Sequence, residues 1–304
     1  MPRTARVKSY MGIYHVIVRS ISDVYLFRSN DDKERYLQLV KKYQETFLFK
    51  VYAYCIMNTH AHFIIDCCGA DISKFIKSIN QCYAMYFNRK YKRHGHVFQD
   101  RFKSKLVTDN EYLLNLSAYV HNNVKDINQF KDKRESYKYS SLGIYLGCFS
   151  DKYNIIDADF VLEHFSSDRN RARILYEDFL FARDNSNIED KIQIIRERGE
   201  YRSERKILIR NFKPDEILKF ISEYKSERFD LHTKYNHRNL ELKAVSILVM
   251  RSLCNFTYKE ICEVVGNITL SNVSKLCERG LKLITEDERY RNLISELIKK
   301  KIVA

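Results

Sequence analysis

The apolar pattern of the first 120 or so residues keeps switching between a period of two and a period near 3.6, and that alternation limits the folds open to the chain. Gly12 to Arg19 alternates and is rich in β-branched residues, as in a strand, and Asn30 or Asp31 then caps a helix running to about Phe47. Phe49 to Met57 and Ala61 to Asp66 read as two further strands around a tight Asn58-Thr59 turn. From about Asp71 to Tyr91, Ile72, Phe75, Ile76, Ile79, Tyr83, Tyr86 and Phe87 recur on one helical side, with Lys74, Lys77, Arg89 and Lys90 on the rest. After an Arg93-His94-Gly95-His96 turn, Val97-Phe98 and Lys105 to Val107 are short extended pieces, and Asp109 caps a helix from Asn110 to Asn123. This β-α-β-β-α-β-α order predicts an α+β fold, an antiparallel sheet backed by helices on the split βαβ plan.

Within that frame, His60-Ala61-His62 places two imidazoles two residues apart in a strand, so both point to one face and can reach one metal ion. Tyr119 and Asn123 lie four apart on the last helix and share a face. Two neutral imidazoles and a carboxamide oxygen suit a divalent ion that keeps open positions for water and phosphate. A phenol beside that ion becomes a competent nucleophile although its ordinary pKa is about 10. The alternative is a structural histidine pair with no metal. Tyr112, seven residues before Tyr119 and on nearly the same helix face, is the rival nucleophile.

Other groups near the motif divide in the same way. His121, two positions from Tyr119, is turned away and reads as structural or as a DNA contact, and His15 as a sheet histidine able to approach the site. Asp66, four residues after His62, is a possible outer acceptor for an imidazole N–H. His94 and His96 flank a glycine turn. Gln99, Arg101 and Lys103 alternate in an extended run and form a DNA-binding face, Arg101 and Lys103 meeting phosphates; the competing reading is a charged edge strand that discourages aggregation.

The length of 304 residues suggests two domains, and a net charge of +14 with 22 Tyr and 18 Phe suits a partner that offers phosphates and stackable bases, single-stranded nucleic acid above all. Eight cysteines without a CxxC pair read as small buried apolar residues in a reducing cytosol. The segment Met1 to Lys8 is basic without the apolar stretch of a signal peptide, and no run approaches the roughly 18 apolar residues of a membrane span, so the expectation is a cytoplasmic protein with no membrane partner.

The organisation expected is a catalytic domain over 1–150, a helical extension and charged linker over 151–235, and a DNA-binding domain over 236–304. Tyr137 to Phe149 reads as a packed loop, Ile156 to Phe181 as helix, and the charged stretch Arg183 to Arg210 as a partly helical junction. In the tail, Leu240 to Leu253 is helical, Thr257-Tyr258-Lys259-Glu260 is a capping box, and Gly266 breaks the chain before a third helix near Ser271. In this helix-turn-helix outline the third helix buries Val273 and Leu276 and presents Ser271, Asn272, Lys275 and Arg279 to bases or phosphates. A small helical bundle used for packing or dimerisation is the other reading.

Met57-Asn58-Thr59-His60-Ala61-His62-Phe63, Gly95-His96-Val97-Phe98-Gln99-Asp100-Arg101-Phe102-Lys103-Ser104 and Tyr119-Val120-His121-Asn122-Asn123 resemble, in order and spacing, the HUH-type single-tyrosine transposases. The likeness is strongest to the branch associated with repetitive extragenic palindromes and covers roughly residues 1 to 150. It implies a ferredoxin-like catalytic domain, Mg²⁺ or Mn²⁺ on His60, His62 and Asn123, Tyr119 forming a 5′-phosphotyrosine with single-stranded DNA near a hairpin, and a backbone or DNA role for His94 and His96 in place of metal binding. That link conserves the phosphodiester, so one site cuts and rejoins. The family usually has proline after the asparagine; here Val124 stands there, which would let the helix run on and shift Asn123.

The tail resembles more loosely the helix-turn-helix of the replication initiator DnaA, implying duplex DNA as a second partner. Related enzymes act as monomers or homodimers. A DNA-binding regulator that keeps the fold without catalysis is the alternative function. Rolling-circle initiators and relaxases share the histidine pair and tyrosine, but here the pair precedes its tyrosine within a short domain and no helicase segment follows.

Overall fold

The seven residues Ile13 to Arg19, of which Ile13, Tyr14, Val16, Ile17 and Val18 are apolar, form β1, and pairing on both of its edges organises the N-terminal part of the computed structural model. The structure describes residues 9, 12–21, 25–183, 208, 210–226, 231–232 and 237–303. The chain divides into two units, Met1–Gln44 with Phe49–Lys206 and Glu45–Leu48 with Ile207–Ala304.

In the first unit β1 is followed by α1 (Asn30–Phe47), β2 (Lys50–Ile56), β3 (His60–Asp66), α2 (Ile72–Lys90), β4 (Lys103–Leu106) and α3 (Asn110–Asn122). The strands lie in the order β2-β3-β1-β4, and every neighbouring pair is antiparallel. The α+β reading with a split βαβ sheet therefore holds, the two crossings being α1 and α2. Register follows from the alternation. Val16 pairs with Phe63 and both are buried on the face that meets Tyr36 of α1, whereas Ile17 pairs with His62 on the opposite face. Tyr36 in turn bonds Asn80 of α2 at 2.8 Å, which fixes both helices on the same side.

Local chemistry explains the element ends. The Asp71 side chain accepts the Ser73 N–H at 2.8 Å, and Asp109 accepts the Tyr112 N–H at 2.7 Å, so both carboxylates cap their helices. The start of α1 departs from expectation. Asp32, not Asn30 or Asp31, satisfies the end, reaching back to the N–H groups of Arg28 and Ser29 at 2.9 and 3.0 Å, because a carboxylate at the third helical position can close on the residues before the helix. Asp32 is fully buried and is further held by Tyr91, Lys90 and Tyr86 at 2.6, 2.8 and 3.1 Å.

Beyond α3 the unit continues with α4 (Leu142–Leu146), α5 (Asp159–Leu162) and α6 (Arg169–Ala182). Two expectations change here. Tyr137 to Phe149 contains a short helix in place of a loop, ended by Gly147 at φ 79°, and the continuous helix read from Ile156 is two helices, the second capped by Asp168. The junction read over Arg183 to Arg210 lies almost wholly outside the described residues. Cys55, Cys67 and Cys277 are buried as expected, but Cys148 is exposed and the remaining four are half-buried. Among the described residues no helix is long and apolar enough to cross a membrane.

The second unit contains α7 (Pro214–Lys225), α8 (His237–Leu253), α9 (Tyr258–Val265), α10 (Leu270–Glu286) and α11 (Leu293–Val303). From Ala244 to Leu253 every residue of α8 is buried, so this helix is the centre around which the others pack. The Thr257–Glu260 capping box opens α9, and Gly266 ends it with φ 63° and ψ 159°, a backbone region that only glycine enters without strain. Thr269 caps α10, which buries Val273 and leaves Leu276 half-buried.

At Gly280 the backbone of α10 comes so close to α8 that a Cβ would run into the Ala244 carbonyl. Gly280→Ala therefore adds a methyl group where backbone leaves no room. We expect a loss of about 1–3 kcal/mol through overpacking, against the roughly 1 kcal/mol that alanine would contribute to an isolated helix. Urea unfolding followed by circular dichroism checks this: a lowered midpoint is expected, and a raised one would mean that the two helices separate freely.

Candidate active site

Alternation along two paired strands assembles one face of the site. On β3, His60 and His62 point the same way; on β1, His15, Ile17 and Arg19 do. The antiparallel register sets Arg19 opposite His60 and Ile17 opposite His62, and on its other edge Ile17 faces Lys103 of β4. Helix α3 crosses this face and brings Tyr119 to it, its ring centroid 5.6 Å from that of His62 and 5.9 Å from that of His15, edge-on in both cases. Ile17, Arg19, His60, His62, Gln99, Asp100, Arg101, Lys103 and Tyr119 together line a cleft of about 270 Å³.

The imidazoles are held by their neighbours. Thr59 Oγ1 lies 2.9 Å from His60 Nδ1, and His15 Nε2 lies 2.9 Å from His62 Nδ1. Each ring therefore uses Nδ1 within the protein and keeps Nε2 for another partner. Burial, joined by the Arg19 charge and opposed by Asp126, lowers the pKa of His60; burial, with His15 and His60 adding to it, lowers that of His62 much further. Both are neutral imidazoles at neutral pH, the form that donates to a metal. The donor chemistry fits a divalent cation at the two Nε2 atoms, although no cluster of three His, Cys, Asp or Glu side chains suited to a metal occurs among the described residues.

Asn123 is placed behind the cleft. Its Nδ2 donates to the Tyr119 carbonyl at 2.7 Å, which leaves Oδ1 as the atom of the carboxamide not committed to that bond, and the residue does not line the cleft wall. Helix α3 ends at Asn122 and passes into a short 3-10 turn over Asn123–Asp126, with Val124 fully buried. With valine in place of proline, α3 therefore does not run on as an α-helix past the asparagine.

Tyr112 is separated from the histidines. It is 5% exposed, with Lys105 over its ring, burial drives its phenol well above the ordinary range, and it is not among the cleft residues. Asp66 is also removed from the site: it accepts from Tyr52 Oη at 2.9 Å and from the Cys68 N–H at 3.0 Å, so it does not support an imidazole. His94 and His96 are exposed and outside the cleft. Gln99, Arg101 and Lys103 all reach the cleft, but only Lys103 does so from a strand, since β4 begins there and Gln99 is held by a bond from its N–H to the Arg19 carbonyl at 3.0 Å. Ser271, Asn272, Lys275 and Arg279 lie in the other unit, exposed along α10.

His15, a sheet histidine able to approach the site, does so, whereas Arg19 and Asp100 were not singled out from the sequence, although parity along β1 marks Arg19, which falls on the face of Ile17. Asp100 carried no such signal. With Arg101 and Lys103, Arg19 makes three exposed cations around the histidines, against one carboxylate, Asp100, and such a rim attracts phosphate.

The opposite side of α3 anchors the tyrosine. His121, fully buried, bonds Tyr176 Oη through Nδ1 and Ser141 Oγ through Nε2, both at 2.7 Å, and Ser141 Oγ accepts the Tyr54 N–H of β2 at 2.9 Å. Of its two sequence readings the structural one applies, because no surface reaches it. Burial pushes its pKa down to about 3. The unfolded chain, with a histidine pKa near 6.5, then binds the proton more readily than the native state, so stability falls as pH drops from about 6.5 toward 3. Truncating His121 to Ala removes one partner from each of two buried hydroxyls, which keep Ser117 and Tyr54, and opens a cavity; we expect a loss of about 2–4 kcal/mol at pH 7 and a shallower acid dependence, both read from urea unfolding across that pH range.

Comparison with known proteins finds one family and one solved structure to which the chain is similar. Residues 8–123 match the family described as "Transposase IS200 like". Among solved structures the chain is similar to a REP-associated tyrosine transposase bound to a REP hairpin, at 12% identity and a TM-score of 0.42, over 52% of this chain and 96% of that one. No curated protein matches the sequence. Three sequence motifs meet in one cleft, and residues 8–123, the stretch similar to the IS200-like transposase family, carry all three.

Proposed function

We propose that the chain is a metal-dependent DNA strand transferase in which Tyr119 becomes linked to the 5′ phosphate of a single strand. The observation that carries this reading is the edge-on approach of the Tyr119 ring to His62, in a cleft that also holds His60 and three cations. Arg19, Arg101 and Lys103 would hold the phosphate oxygens of the strand. Tyr119 Oη then attacks phosphorus; the new P–Oη bond replaces the P–O3′ bond, and the departing 3′ oxygen takes up a proton. Attack by a 3′ hydroxyl of another end reverses these changes and releases the tyrosine. Because one ester replaces another, rejoining needs no nucleotide hydrolysis.

Mg²⁺ or Mn²⁺, held by His60, His62 and Asn123 Oδ1, would polarise the phosphodiester and stabilise the phenolate. Asn123 is the third donor that the resemblance implies; its Nδ2 is bonded to the Tyr119 carbonyl, and its Oδ1, outside the cleft wall, would have to turn toward the ion. A hairpin beside the cut strand is the substrate feature this reading adopts, from the resemblance of the motifs.

Covalent capture tests the assignment. Protein incubated with Mn²⁺ and end-labelled single strands from the flanks of its own gene is resolved under denaturing conditions. An adduct is expected for wild type and Tyr112→Phe and none for Tyr119→Phe, while His60→Ala removes the adduct and retains hairpin binding at matched salt. Hairpin binding by the wild type without any adduct would make the chain a DNA-binding regulator in place of an enzyme.

For the second unit we propose duplex binding through α10, supported by exposure of Ser271, Asn272, Lys275 and Arg279 on one helix that opens after a capped turn. Lys275→Ala and Arg279→Ala are each expected to weaken duplex binding and to reduce the salt slope of log K by about 0.9, the value for one phosphate contact. Fluorescence anisotropy over a salt series reads both, and an unchanged slope would leave α10 a packing helix.

A further inference from the structure

We propose that His15 is a positioning residue, which holds His62 in the one tautomer that offers Nε2 to a cation; the proposal rests on the metal-site reading above. His15 pairs with Ile64 on β3, whereas His62 pairs with Ile17 on β1, so the two histidines are diagonal neighbours on one face of the sheet. Such neighbours lie about 7–8 Å apart in backbone, within reach of two imidazoles. The rings stack at 5.2 Å with 21° between their planes, and each is 4% exposed, so no solvent competes for the bond between His15 Nε2 and His62 Nδ1 at 2.9 Å.

One proton occupies that bond. If His62 is to give an electron pair at Nε2, its own proton must sit on Nδ1, and His15 Nε2 is then the acceptor, with the His15 proton on Nδ1. The opposite arrangement would place a proton on His62 Nε2 or leave His62 Nδ1 as acceptor, and either would close His62 to a cation. His60 has the corresponding contact from the Thr59 hydroxyl; both bonds can run in either direction, and in the proposed arrangement the His15–His62 bond takes the direction that leaves His62 Nε2 open. His15 also meets the edge of Tyr119, so the residue that sets the donor atom of His62 sits against the nucleophile's ring.

Imidazole ¹⁵N–¹H correlation spectra of the full chain without metal read the tautomer, and Mn²⁺ titration followed by electron paramagnetic resonance reads affinity. His62 is expected as Nδ1–H in the wild type. His15→Phe keeps a stacked ring without an acceptor, and should lower Mn²⁺ affinity about 10–100-fold, the usual effect of losing an outer partner, with an unchanged circular dichroism spectrum. His15→Gln, whose Oε1 reaches about where Nε2 stands, should restore most of the affinity and the Nδ1–H signal.

A His62 Nε2–H signal in the wild type, or wild-type Mn²⁺ affinity in His15→Phe, overturns the proposal. A wild type that shows Nδ1–H but takes up no Mn²⁺ supports the role of His15 in setting the tautomer and sinks the metal reading alone.

Discussion

The pairing of β1 between β3 and β4 is the constraint on which the rest of the first unit depends. One strand sets Arg19 opposite His60, Ile17 between His62 and Lys103, and His15 diagonal to His62. Because side chains alternate with a period of two, a slip of one residue would turn all three β1 groups toward α1 and α2 and bring Val16 and Val18 to the cleft. The apolar alternation that buries Tyr14, Val16 and Val18 therefore also holds the polar face in place. Core and site are opposite sides of one register.

Helix α3 repeats this arrangement at a period of 3.6. Its buried side, through His121, is bonded to Tyr176 and to Ser141, and through Ser141 to β2. Its half-buried side carries Tyr119 over the histidines. The proposed role of Tyr119 as nucleophile would need a fixed approach and an open path for substrate, and these demands conflict for one side chain. Here the approach is fixed by a histidine two residues away, which leaves Tyr119 itself at the cleft. Asn123 adds a second tie, since its amide bonds the carbonyl of that same tyrosine.

Charge is distributed with similar economy. The cations of the cleft are exposed and sit at a strand end, a bent segment and a strand start; Arg19 and Lys103 are held through sheet pairing, and the Arg101 N–H is bonded to the Asp100 carboxylate. Buried ionisable groups are satisfied elsewhere, as in the Asp32 cluster with Lys90, Tyr86 and Tyr91, which is an internal cap of α1 and takes no part in the cleft. In the second unit the tight approach of α10 to α8 at Gly280 buries one side of α10 and leaves Lys275 and Arg279 outside.

Much of this was legible along the chain. Periodicity located the four strands and the main helices, because burial of one face imposes a pattern that each segment carries by itself. The capping box at Thr257 and the caps at Asp71 and Asp109 were readable for the same reason, since a cap acts over three residues. Spacing alone put His60 with His62 and Tyr119 with Asn123. What the sequence could not decide were matters of distance between segments: that Tyr119 and not Tyr112 meets the histidines, that Asp66 serves Tyr52, that Arg19 and Asp100 join the cleft, and that His15 is the partner of His62. Local pattern reports which face a residue takes; which residue stands across from it depends on strand register and helix placement, and those arise only when distant segments pack.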